Sequence, residues 1–190
     1  MQGTRVWRRR RERGATLVEA AMVFPILILI IMGTLEIGLA FKDYLTVSYI
    51  SREGARLGAL AGDDPTADCT ILKGIGGLAT TRDLALIDEI HIFKADEGTG
   101  AQGATNVATY VVGADPTICN VPSTPADGWT IAPIGWAPTS RQTTVGTDSL
   151  DILGVRVLLT RSWVTNFPPF RGDFQIDETT LTRLEPQAFE

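Results

Sequence analysis

Residues 15–41 form an apolar run interrupted only by Glu19 and Glu36, and no other feature constrains the fold so strongly. As a helix rising about 1.5 Å per residue, the run reaches about 40 Å, more than the roughly 30 Å hydrocarbon core of a bilayer. With 190 residues and 44% apolar composition, the chain is long enough for one modest soluble domain beside a membrane segment. Pro25 lies inside the run, where a membrane helix is expected to bend rather than end. Glu36 is expected near the outer interface.

Charge is divided across this run. Six arginines against Glu12 give residues 1–13 a charge of +5, whereas ten basic and nineteen acidic side chains give residues 43–190 a charge of -9. The positive-inside rule therefore puts the leader in the cytoplasm and the bulk of the chain outside. The Arg8-Arg9-Arg10-Arg11 cluster abuts an apolar helix, which makes it an orientation signal, and no nucleic-acid partner is expected.

A carboxylate in a membrane-length segment costs roughly 2.5–3.5 kcal/mol on insertion scales, so Glu19 asks for a cause. A cut after Gly14 would leave Ala15 with a free amine, and Glu19 lies one helical turn further on the same face. Amine and carboxylate in a low-dielectric site lower each other's cost, within one chain or between neighbouring chains. Gly14, Ala15 and Glu19 thus form a candidate processing junction, and Glu19, Pro25 and Glu36 are candidate residues of helix assembly. A secretory signal peptide is the competing reading, with Gly38-Leu39-Ala40 placed for a cut before Phe41. It fits less well, because signal cores run about 7–15 residues and this one is longer and acidic at both ends.

Beyond Phe41 the apolar positions narrow to a stripe of Ala40, Tyr44, Val47, Ile50, Gly54, Leu57 and Ala61, one face of a helix. Lys42, Asp43, Thr46, Arg52, Glu53 and Arg56 take the wet side. Gly62 and Pro65 mark the stop, so one continuous helix over 15–61 is the simplest reading. Gly54 and Gly58 weaken it, which predicts close packing there against a sheet or another helix.

After Pro65 the pattern predicts an α+β head: a short helix in 66–80 and strands at 86–94, 106–112, 153–164 and 179–184. Residues 115–142 contain Pro116, Pro122, Pro125, Pro133 and Pro138 and read as an exposed loop held at one end by Cys119. In an oxidising compartment Cys69 and Cys119 form a disulfide by default, and two buried free thiols are the alternative. The fold class is therefore α+β, with a long transmembrane helix that continues into an amphipathic helix packed on a small, mostly antiparallel sheet. Its divisions are a basic leader (1–14), a membrane helix (15–41), an amphipathic extension (42–62) and an extracytoplasmic head (63–190).

Signs of catalysis are scarce, and no catalytic residue, metal or cofactor is expected. His91 is the only histidine and falls in a predicted strand. Gly74-Ile75-Gly76-Gly77 lacks the setting and the lysine of a phosphate loop. The pairs Asp63/Asp64, Asp88/Glu89 and Asp96/Glu97 lack calcium-loop spacing and read as solvated edges. Arg171-Gly172-Asp173 reads as a turn after Pro168-Pro169.

Three segments together resemble the TadE-like proteins of tight-adherence (Flp) pilus systems, within the type IV pilin-like families. They are Arg13-Gly14-Ala15-Thr16-Leu17-Val18-Glu19-Ala20, the apolar stretch from Phe24-Pro25 to Leu35-Glu36-Ile37-Gly38, and Ser51-Arg52-Glu53-Gly54-Ala55-Arg56. The ending Leu181-Thr182-Arg183-Leu184-Glu185-Pro186 is similar to the family's terminal strand. The resemblance covers about the first sixty residues well and the rest loosely. It implies a non-enzymatic minor pilin or pseudopilin of the cytoplasmic membrane, trimmed after Gly14 by a prepilin peptidase. Its implied partners are membrane lipid, other pilins and minor pilins, and the pilus assembly platform. Ala20 departs from the bulky residue frequent after the acid in these families. The alternative from another class is a membrane-anchored or secreted binding domain that uses the 115–142 loop and treats residues 1–40 as anchor or signal.

Overall fold

The structure is a computed structural model that describes residues 5–113, 115, 119, 128–131, 135–144 and 149–186, with backbone alone for 5–13, 130 and 131. Helix α1 runs unbroken over Arg5–Ala61, through Pro25. It begins ten residues before the expected start, because arginine and glutamate are good helix formers and Gly14 alone costs only about 1 kcal/mol. It ends where the sequence predicts. Gly62 adopts a left-handed φ of 57° and donates its N–H to Gly58 O at 3.1 Å, a glycine C-cap.

The chain divides into two compact units, one comprising the helix up to Phe41 with Trp163–Gly172, the other Lys42–Ser162 with Asp173 onward. The larger unit is built on a five-stranded sheet in the order β3-β2-β1-β4-β5. Its strands are β1 (Ile87–Ala95), β2 (Gln102–Val111), β3 (Thr130–Ile131), β4 (Ile152–Ser162) and β5 (Asp173–Arg183), and each neighbouring pair is antiparallel. Helices α2 (Ala67–Leu78) and α3 (Thr81–Leu84) complete it. The expected helix and four strands are all present; α3 and the two-residue β3 are additional.

The core lies between one sheet face and the helices. Ile90, Ile92, Leu153, Val155 and Val157 meet Val47 and Ile50 of α1 and Ile71, Leu72 and Ile75 of α2, all essentially buried. The predicted close approach is here: a Cβ on Gly54 would lie 3.0 Å from Ile75 Cδ1 and 3.3 Å from Val155 Cγ1, and one on Gly58 only 2.2 Å from Leu153 Cδ2. Glycine brings the helix axis close enough for the branched side chains of sheet and α2 to fill the space.

The helix face is turned relative to the expected stripe. Asp43, assigned to the wet side, is buried with Val47, Ile50, Ser51, Gly54 and Gly58, whereas Tyr44 is exposed. The cause is Arg161, the last inward-facing residue of β4, which donates to the Asp43 carboxylate and turns that side inward. Ser51 adds a hydroxyl contact of 2.5 Å to Thr180 of β5. The 115–142 segment also differs from an exposed loop where it is described, since Trp129, Trp136, Pro138 and Arg141 are buried. Tryptophan outweighs the proline pattern there: its large apolar surface is buried whatever the backbone does.

Candidate functional site

Two surfaces carry chemistry that the fold itself does not consume. The first is the helix over 14–41. Leu17 and Met22 are more than 70% exposed, and Val23, Phe24, Pro25, Ile26, Leu27, Ile28, Leu29 and Ile30 follow Met22 in direct succession, all exposed. Consecutive exposed apolar residues cover every side of a helix, since each is rotated about 100° from the last. A helix apolar all round is suited to burial in a large core or to a membrane. The helix is long and apolar enough to cross a membrane. Gly14, Ala15 and Glu19 lie on this open part, in regular helix and exposed, with Ala15 and Glu19 one turn apart. Pro25 and Gly38 are also on it, and a Cβ on Gly38 would meet nothing within 4 Å.

The second surface is built around Glu36. It is 1% exposed, the one buried residue between Gly14 and Phe41. Its carboxylate accepts the backbone N–H of Val164 at 3.2 Å and of Thr165 at 2.5 Å. Both amides belong to Trp163–Gly172, the connection between β4 and β5. Phe170 of the same segment lies against Gly33, its ring edge 3.4 Å from where a Cβ would stand, and stacks at a tilt on Trp163 with centroids 5.0 Å apart. Glycine at 33 and a carboxylate three residues later thus form a seat for this segment. Of the three residues assigned to helix assembly, Glu19 and Pro25 stay open, while Glu36 is engaged by its own chain.

Sequence reading missed this seat. The signal was present: between two strands that pair Ser162 with Asp173, the connection Trp163-Val164-Thr165-Asn166-Phe167-Pro168-Pro169-Phe170-Arg171-Gly172 is mostly apolar, where hairpin ends are usually polar. The last two residues were read only as part of a turn, which they are, with Gly172 at a φ of 75°.

The remaining polar groups of interest hold the larger unit together. Cys69 and Cys119 are joined in a disulfide across 50 residues, as the oxidised reading requires. Beside Cys69, Asp68 receives hydrogen bonds from the Tyr110 hydroxyl and the Arg141 guanidinium, and Arg141 lies 4.7 Å over the Trp136 ring. Burial, and then the Asp68 charge, push the Tyr110 hydroxyl well above the usual phenol range. Lys42 pairs with Asp83 at 2.7 Å. Burial raises the Asp83 carboxyl, but hydrogen bonds from Lys42, the Thr80 hydroxyl and the Thr80 N–H outweigh it and hold the group below the usual range. Asp83 also completes the capping box that starts α3. His91, half-buried, contacts Glu89 at 2.8 Å and Gln102 at 3.3 Å. Asp96 takes the N–H groups of Gly98 and Thr99, closing the β1–β2 turn. Among the described residues no three His, Cys, Asp or Glu side chains gather in a metal-binding group.

Residues 14–56 match the sequence model of a family described as TadE-like protein. The matched stretch begins at Gly14 and covers the apolar helix, Glu36 and the Ser51–Arg56 segment, less than half of the chain. No curated protein and no solved structure matches the chain.

Proposed function

We propose that this protein is a membrane-anchored, non-enzymatic pilus component, and more narrowly a minor pilin (pseudopilin) of a tight-adherence pilus. The observation that carries this reading is the TadE-like match of residues 14–56, which falls on the helix whose apolar side chains are exposed on every side. The helix anchors the chain once in the cytoplasmic membrane, with the arginine-rich leader on the cytoplasmic side and the sheet unit outside. A prepilin peptidase removes residues 1–14, and the new Ala15 amine neutralises Glu19, of the same chain or a neighbour, as helices associate. Other pilins, the assembly platform and membrane lipid are its partners. The sheet unit is larger than a filament-lining helix needs, which favours a minor component over the main subunit.

Mass spectrometry of the membrane or pilus fraction tests this. A mature N-terminus at Ala15 is expected, and Glu19→Ala should impair assembly while the sheet unit melts as before. A chain beginning at Met1 or Phe41 in working pili would contradict the proposal.

A further inference from the structure

The segment Trp163–Gly172 poses a question that helix assembly does not answer: why should a strand connection expose apolar side chains at its tip? Val164 is 63% and Phe167 53% exposed, on a segment otherwise held down by Glu36 and Gly33. The β1–β2 turn uses ordinary polar chemistry, at Asp96, Gly98, Thr99 and Gly100. Val164, Phe167, Pro168 and Pro169 are exposed together beside Asn166 and Arg171, and an apolar group so concentrated on one connection is suited to meet something apolar.

Position along the helix says what that is. From Ala15 to Glu36 a helix rises about 32 Å, close to the roughly 30 Å of a hydrocarbon core. If the apolar run crosses the bilayer, the Gly33–Glu36 seat lies where hydrocarbon gives way to headgroups. The segment's composition suits that depth. Trp163 is of the aromatic type enriched at this boundary, Phe167 offers an apolar ring of the kind that interfacial segments bury, and the exposed Arg171 supplies a cation for lipid phosphate. Glu36 fits the same picture: a carboxylate at the edge of the hydrocarbon is satisfied by two backbone N–H groups and so needs no water.

We infer that Trp163–Gly172 is a membrane-interface anchor, seated on the transmembrane helix by Glu36 and Gly33, with Val164 and Phe167 dipping into the outer leaflet of a phospholipid bilayer. The inference rests on the membrane reading proposed above. It adds a second point of attachment, distant in sequence from the helix, that fixes the chain's rotation about the helix axis as well as its depth.

The test uses the full chain, with its disulfide intact, reconstituted in phosphatidylcholine–phosphatidylglycerol vesicles that contain a nitroxide-labelled phosphatidylcholine. A polarity-sensitive fluorophore is placed by Phe167→Cys, by Val164→Cys, or by Leu27→Cys on the helix. Lipid nitroxide is expected to quench the Leu27 site strongly and both loop sites at roughly half that level or more, as befits shallower depth, with weak quenching by aqueous iodide. Quenching at Leu27 without quenching at either loop site would overturn the anchor while leaving the membrane helix in place. Shielding of both loop sites from iodide and nitroxide alike would also overturn it, in favour of a protein neighbour on the tip. No quenching at Leu27 would remove the membrane reading and the anchor together.

Discussion

Ile28 and Ile92 are the same side chain under opposite regimes: the first is 41% exposed on the helix, the second fully buried between sheet and helices. The contrast extends to each residue's surroundings. In the sheet unit, apolar groups are inside and charges that enter the interior are paired, as Asp43 is with Arg161 and Asp68 with Arg141. In the helical unit the apolar groups are outside and, among the described residues, the one buried side chain is an acid, Glu36. A single chain thus carries one unit with its apolar groups inside and one segment long and apolar enough to cross a membrane. The difference lies in composition and periodicity together: the sheet strands alternate apolar and polar positions, and the run over 20–35 is uncharged and does not alternate at all.

The largest effect separating the two regions should come from the disulfide, which lies wholly in the sheet unit. Its loop of 50 residues corresponds to about 4 kcal/mol in the chain-entropy model. Cys69→Ser with Cys119→Ser should lower the melting point of the sheet unit by many degrees in near-ultraviolet circular dichroism, with far-ultraviolet helix signal from the apolar run retained in detergent. Next is the isoleucine pair. Ile92→Ala should cost the sheet unit about 3 kcal/mol through the cavity it leaves, whereas Ile28→Ala should change its stability by less than about 0.5 kcal/mol. Equal effects in denaturant titration would show that the helix surface is buried after all.

A smaller effect tests the seat. Glu36→Ala removes the acceptor for two amides, so hydrogen exchange at Val164 and Thr165 should accelerate about tenfold or more, with the β4–β5 ladder unchanged. If exchange at both amides stayed as it was, the carboxylate would not be what holds the segment.

How much of this could be read beforehand follows from the range of the interactions. The apolar run, the glycine stop at Gly62 and the close-packing glycines Gly54 and Gly58 are local patterns, and they stand in the structure as read. The cysteine pairing needed only an even count and an oxidising compartment. The face of the amphipathic helix was misjudged at Asp43 and Tyr44, because the deciding partner, Arg161, is more than a hundred residues away. Glu36 is expected near the outer interface and in helix assembly, and its match to Val164 and Thr165 was not legible because these partners are also more than a hundred residues away and backbone amides carry no sequence signature. In the 115–142 segment the prolines spoke for a loop, and the buried Trp129 and Trp136 answered for the core.

The smallest expected effect concerns acid. In the sheet unit Asp83 is held below the ordinary carboxylate range, burial being outweighed by Lys42 and Thr80. A carboxyl whose folded value is depressed stabilises the fold above its unfolded value, near 3.9, and that stability is lost as pH falls through the lower folded value. Because Lys42 is 53% exposed, solvent screens the pair and the contribution is no more than about 1 kcal/mol. The melting point of the sheet unit should therefore drop by a few degrees as pH falls below about 4, and Asp83→Asn should flatten part of that drop while lowering the neutral-pH value slightly. The open helix over 14–41 is held by backbone hydrogen bonds in a mostly apolar sequence, so its helical signal in detergent should not follow the same acid limb. A helix signal that fell in step with the sheet unit between pH 4 and 2, as an order-of-magnitude window for aspartate titration, would mean that the two regions fold as one.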